Sequence, residues 1–264
     1  MLVVAAACRP VDPIPEDIDG LLHLFWDDFD AGDDARVGEA LVAAAAAIDE
    51  DALLQDHAEG TPTRLSIEEQ ALVPLDHAVT PDPAKARGLS VTTRYTCAMD
   101  QLAAILVFPD QNAIYDSYDA YSRTFDAPTD RFLAGDEARA GWVGEITATI
   151  PLGVGTYSYP FRTELRRLPL PEDHPSSGEA IVARTFMTDA AVWEKDGRSF
   201  PQDYQIEVYW PVGADIVHLY GFWREMDFGA SVGTMEDDLP ARITVQQVIV
   251  WDDKTEKACA DGLP

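Results

Sequence analysis

Lysine is scarce in this chain: it supplies only four of 19 basic residues, against 47 acidic ones, and the formal charge over 264 residues is -28. A surface of that sign repels a phosphate backbone and the anionic face of a bilayer, which excludes nucleic acid as a partner. Asp greatly outnumbers Asn, and the acidic excess reads as a solubility device suited to salt or to the outside of a cell. Long apolar runs are lacking too. None approaches the ~18 residues that a membrane span needs; the longest runs from Ala40 to Ile48. Metal motifs are missing as well, since there is no HExxH, no CxxC, and the histidines lie far apart in sequence.

Two partial motifs fail on inspection. Gly229-Ala-Ser231-Val-Gly233 has the letters of a hydrolase nucleophile elbow, but that elbow needs a histidine downstream, and none follows His218. Asp28, Asp30 and Glu39 fall at positions one, three and twelve of a calcium loop, yet Gly32 and Asp33 occupy positions five and six in the wrong order for its sharp turn. We therefore expect no cofactor, no metal and no catalysis.

What is present is enough for a full core: 47% of residues are hydrophobic and 25% charged, the balance of one large globular domain or two unequal ones. Residues 16–75 read as a helical segment. Ile18, Leu21, Leu22, Phe25, Trp26 and Phe29 recur at the spacing of one helix face, Val37, Leu41 and Ala45 mark a second helix, and Ser66 with Glu69 forms a capping box for a third. The apolar stripe of the first helix should dock on the rest of the protein. Half of the net negative charge sits in residues 1–88, so the outer side of this segment is anionic. Pro74, Pro81 and Pro83 punctuate a linker over 76–88.

From Leu89 the period becomes two, and residues 89–264 read as one α+β domain. Leu89–Cys97 is a predicted strand and Asp100–Tyr115 a helix broken at Pro109. Trp142–Ile150 and Tyr157–Leu165 alternate on either side of a Gly-Val-Gly turn, as a hairpin does. Further strands are expected at Ala180–Met187, Tyr204–Trp210 and Ile216–Phe228. A helix from about Leu239 to Ala260 closes the chain, although Ile243–Trp251 taken alone could also be a strand. His218 and Arg224 fall on one face of the last strand with Tyr220 and Phe222 beside them, a set that could hold an anionic headgroup or could be an ordinary core histidine and a paired arginine. Arg123 and Arg184, each within an apolar strand, allow the same two readings.

This element order, from Leu89–Tyr115 through the meander to the tail Trp251-Asp-Asp-Lys-Thr-Glu-Lys-Ala-Cys259, resembles the helix-grip arrangement of the START-like superfamily. The chain is also similar to uncharacterised bacterial lipoproteins with a Tyr-Asp-Ser-Tyr stretch, here Tyr115 to Tyr118. The resemblance implies a curved antiparallel sheet wrapped around a long closing helix, with a hydrophobic cavity between them. A small hydrophobic molecule or a lipid is then the expected partner, and no functional residue transfers.

The first residues, Met1 to Cys8, are an apolar run ending in small residues and a cysteine, before Arg9 and Pro10. They resemble the end of a bacterial lipoprotein signal, which implies a lipid on Cys8, residues 1–15 as signal remnant and linker, and a place in the bacterial cell envelope reached only through that anchor. Cys97 and Cys259 then remain as an even pair, expected to bond in an exported protein and to stay as two thiols in a reducing compartment. The function expected is non-catalytic capture of a hydrophobic small molecule or lipid. The alternatives are an interaction protein with a filled core, which would show no cavity of ~300 Å³ between sheet and helix, and a hydrolase of unrecognised type.

Overall fold

The computed structural model describes residues 13–31, 34–150, 154–230 and 232–264; Cys8, Gly32, Asp33 and Ser231 lie outside them. In chain order the helices are α1 (Ile18–Asp27), α2 (Asp34–Ala47), α3 (Ile67–Gln70), α4 (Met99–Leu106), α5 (Gln111–Tyr115), α6 (Asp130–Leu133) and α7 (Asp238–Asp261). The strands are β1 (Ala58–Gly60), β2 (Arg87–Thr96), β3 (Ala120–Phe125), β4 (Arg139–Ile150), β5 (Gly155–Pro169), β6 (Glu179–Met187), β7 (Val192–Trp193), β8 (Ser199–Val212) and β9 (Asp215–Asp227). Among the described residues all nine strands join one antiparallel sheet in the order β1-β2-β9-β8-β6-β5-β4-β3, with β7 added to β5. The α+β class, the curved sheet and the long closing helix are as the sequence led us to expect.

Both faces of the central strands are covered, and the sequence of β9 shows it. Val217, Leu219 and Trp223 face the N-terminal helices, while Ile216, Tyr220, Phe222 and Met226 face the other way. A strand buried on two sides has no polar face to alternate with, so it reads as one apolar run. We call the side under α1 and α2 the outer face and the side under α7 the inner face.

On the outer face, α1 starts at Asp17, whose side chain accepts a hydrogen bond from the backbone N–H of Gly20 at 2.8 Å. Its stripe then sinks into the sheet: Leu22, Phe25, Trp26 and Phe29 are all buried, as their spacing demands. Trp26 meets Tyr204 and Trp223 edge-on, with ring centroids 5.8 and 6.1 Å apart. The helix comes so close that a Cβ on Gly221 would stand 2.7 Å from Leu22, so this position in β9 has no room for a side chain. Ser66 and Glu69 form their capping box at the start of α3.

The acidic turn after α1 serves arginines. Asp28 accepts from Arg36 at 2.7 Å, and Asp30 takes Arg184 at 2.6 Å and Arg139 at 3.2 Å. Arg184 also reaches Glu164 at 2.6 Å and lies over the Phe29 ring, its Cζ 4.4 Å from the centroid. Of the carboxylates that imitated part of a calcium loop, Asp28 thus ties α1 to α2, and Asp30 fastens the helical segment to β4 and β6.

On the inner face α7 buries a stripe of Ala241, Val245, Val248, Asp252, Thr255 and Cys259. The ambiguity between strand and helix over 243–251 is resolved by that spacing of three and four. At its far end Cys259 is bonded to Cys97, just past the end of β2, with 5.4 Å between the Cα atoms. The bond closes a loop of sequence separation 162, which in the chain-entropy account contributes about 5 kcal/mol. Reduction, or the double change Cys97→Ser and Cys259→Ser, should lower the free energy of urea unfolding by up to that amount while leaving the far-ultraviolet circular dichroism unchanged. Full alkylation of both thiols in unreduced, denatured protein would show that the bond does not form.

Candidate functional site

Between the inner face and helices α4, α5 and α7 lies a cavity of about 170 Å³. The pleat explains its lining, because every second residue of each strand points inward. The pattern brings seven of the chain's nine tyrosines to the walls, from Tyr95 on β2 and Tyr115 on α5 to Tyr220 on β9. Trp142, Phe161, Leu165 and Val248 supply apolar surface. Burial pushes the phenols up; Tyr159, Tyr209 and Tyr220 all lie well above the ordinary tyrosine value. They are neutral hydroxyls at any physiological pH.

The strand also places the four residues singled out in sequence. His218, Tyr220 and Arg224 line the cavity. Phe222 does not; it is fully buried in the core shared with Leu89, Met226 and Val245. Arg224 is already committed: its Nε and Nη2 donate to the two carboxylate oxygens of Asp203 at 3.0 and 2.8 Å. Burial alone would lower its pKa, and the adjoining Asp203 carboxylate reverses that and raises it. Its charge is closed within the protein.

His218 is also committed. Its Nδ1 lies 3.0 and 3.1 Å from the two carboxylate oxygens of Asp252 on α7, and Nε2 faces Glu207 of β8 at 3.3 Å. Thr93 donates to Asp252 at 2.6 Å, and the Tyr209 hydroxyl donates to Glu207. The Tyr209 ring stacks on the imidazole at 4.2 Å. Burial alone would lower the imidazole's pKa, but Asp252 first and then Glu207 more than compensate, and hold it at about 9. The histidine is therefore an imidazolium at neutral pH, and it ties the closing helix to the middle of the sheet.

Several residues of this site escaped the sequence reading. Glu207 and Gln205 alternate with apolar residues in β8, and Asp252 and Thr255 continue the apolar stripe of α7. A polar side chain at a position whose period points inward was the signal in each case. Arg123 on β3 lines the cavity as well, and the wall around it carries buried donors without acceptors: Arg123 Nε, Trp142 Nε1 and the Tyr95 hydroxyl. Among the described residues no group of His, Cys, Asp and Glu could hold a metal ion.

No protein-family model and no curated protein matches the chain. Solved structures do match it at low identity. Human STARD10 is 10% identical with a TM-score of 0.42, over 67% of this chain and 64% of that one. The chain thus spans a little under two thirds of that structure. The STAR-related lipid transfer protein from Xanthomonas axonopodis is 15% identical with a TM-score of 0.37, over 70% of this chain and 89% of that one. The Zhui aromatase/cyclase from Streptomyces sp. R1128 is 7% identical with a TM-score of 0.41, over 66% and 94%. The chemistry of the cavity follows from the residues described above.

The raised histidine fixes a pH dependence. An unfolded imidazole titrates near 6.5 and the folded one at about 9, so its contribution is complete below the lower value and fades as pH rises through the upper. Urea unfolding between about pH 6 and pH 10 should show wild type losing on the order of 3 kcal/mol relative to His218→Gln. Parallel curves for the two proteins would mean that folding does not shift the imidazole's pKa.

Proposed function

We propose that this chain is a non-catalytic binding protein of the bacterial cell envelope, and that its ligand is a small ring-containing molecule held between the inner face and α7. The observation that carries this reading is the cavity: its walls combine aromatic rings with buried polar atoms that have no partner in the protein. A filled core would satisfy those atoms or replace them, because an unmet buried donor costs about 1–3 kcal/mol. The volume narrows the class of ligand. At ~30 Å³ for each water in the liquid, 170 Å³ is the bulk of about six waters. That suits one substituted ring but falls short of the ~300 Å³ set above to tell a drug-sized site from a filled core, so the reading rests on the unpartnered donors in the wall and not on volume. A two-chain lipid would enter only if α7 moved away from the sheet.

Binding is favoured over catalysis by how the charged groups are spent. The imidazole of His218 is held between two carboxylates and Arg224 is closed on Asp203, which leaves no nucleophile beside a free base among the described residues that line the cavity. The site residues we assign to the ligand are Tyr220 and the surrounding tyrosines as contacts, with His218 and Arg224 shaping the wall. Export is supported by the bond between Cys97 and Cys259, which persists in oxidising compartments, and anchoring by the run ending in Cys8.

Native mass spectrometry of protein taken from its own host tests the binding. A co-purifying small molecule is the expected result. Ala183 lies buried in the cavity wall, so Ala183→Leu should fill part of the space, keep the melting temperature and lose the ligand. Repeated recovery of empty wild-type protein would defeat the proposal in favour of a structural role. In the same host, Cys8→Ala should move the protein from the membrane pellet to the soluble fraction; unchanged partition would remove the anchor.

A further inference from the structure

Arginines in this chain generally find carboxylates. Arg94, Arg162, Arg166, Arg184 and Arg224 each do so, as expected where acidic residues outnumber basic ones by more than two to one. Arg123 is different. Its Nη1 donates to the carbonyl of Leu106 at 2.8 Å, and its guanidinium sits among three rings, with Cζ 4.4 Å from the Trp142 centroid, 5.1 Å from Tyr121 and 5.5 Å from Phe125. Among the described residues no carboxylate lies within ion-pairing distance of it. Its Nε is buried with no acceptor, and so is Nε1 of the adjoining Trp142. The Tyr121 hydroxyl is close to both groups without a well-directed hydrogen bond to either.

Ring faces attract a guanidinium, but they do not neutralise it or accept its N–H groups along the plane. Desolvation accordingly presses the Arg123 pKa downward, the opposite of the direction seen for Arg224. The cavity's other charges cannot help. Asp203 is taken by Arg224, and Asp252 and Glu207 by His218. On the β3–β4 side of the cavity, Arg123 is the one cation among the described lining residues.

We propose that Arg123 is the anion anchor of this cavity, and that the ligand is a small aromatic carboxylic acid bound as its carboxylate. The acid's oxygens take the N–H groups of Arg123 and Trp142, and its ring lies among Tyr121, Tyr159 and Phe161. The inference rests on the binding function proposed above and adds the chemical class. One guanidinium suits a monoanion, since a phosphate dianion would call for further cationic donors that this wall does not hold. The overall charge of -28 opposes approach of any anion, but that repulsion is screened within about 8–10 Å at ordinary salt. The contact with Arg123 is buried and screened far less. Added salt should therefore speed entry and leave affinity nearly unchanged.

Benzoate and benzamide have nearly the same shape and differ in charge, which makes them suitable probes for calorimetry or for ligand-observed NMR with the whole chain. Wild type should bind benzoate at least tenfold more tightly than benzamide. Arg123→Gln should abolish that preference and leave benzamide within about twofold of wild type. Should Arg123→Gln fail to fold, Trp142→Phe keeps a ring while removing the indole N–H, and should weaken benzoate severalfold and benzamide, whose neutral carbonyl gains less from that donor, by a smaller factor. Equal affinity for the two probes, or benzoate binding untouched by both substitutions, would mean that the donors serve water, and the anchor would fall while the cavity's binding role stood. If neither probe binds and the host-derived ligand is uncharged, the anchor falls alone; if the host protein is also always empty, both proposals fall.

Discussion

A protonated imidazole held between two carboxylates joins the last helix to the centre of the sheet, and the inner half of the protein is arranged around it. Asp252 arrives from α7, Glu207 from β8 and His218 from β9; Thr93 of β2 and the ring of Tyr209 complete the surround. Removing one member of such a buried group is costly, because the remaining charges keep their desolvation penalty and lose their compensation. The group also sets the height of α7 above the sheet. With the helix fixed there, large aromatic side chains fill most of the gap and leave a chamber sized for one ring.

The outer half is held by a different balance. The helices α1 and α2 add apolar bulk beneath β8 and β9, and the acidic turn after α1 meets arginines that rise from β4 and β6. Arg184 shows how the two forces cooperate. Its guanidinium lies over the Phe29 ring and is gripped by Asp30 and Glu164, so one side chain both seals the apolar layer and neutralises part of the acidic turn. In a chain with so little lysine, the structural cations are arginines whose planar forks can do both.

Much of this was legible in the sequence, and what was not has physical reasons. The stripe of α1, the capping box at Ser66, the β4–β5 hairpin and the last two strands follow from period and punctuation. The strand β1 has three residues and β7 two, too few for any period to show. The expected helix over 100–115 is two helices, α4 and α5, because Pro109 interrupts it. For the site, His218 stood out with Arg224 as an ionisable group in an apolar strand, but its partners come from a different strand and a helix 34 residues on. Such convergence belongs to the fold and not to any local window. Arg123 was visible only as an arginine in an apolar strand; that it lacks a carboxylate is a property of three-dimensional neighbours.

The bond between Cys97 and Cys259 has a consequence in time. A chain emerging at about 5–20 residues per second takes roughly 10–30 s to deliver the second cysteine after the first, given their separation of 162 residues. Throughout that interval Cys97 is a lone thiol, and the other cysteine already made is Cys8. A free Cys8 would compete for it and trap the N-terminus against the first inner strand, whereas a Cys8 already converted to a thioether is chemically unable to. The lipidation proposed above for Cys8 would then do more than tether the protein: by withdrawing one sulfur early as a thioether, it would proofread the pairing of the other two.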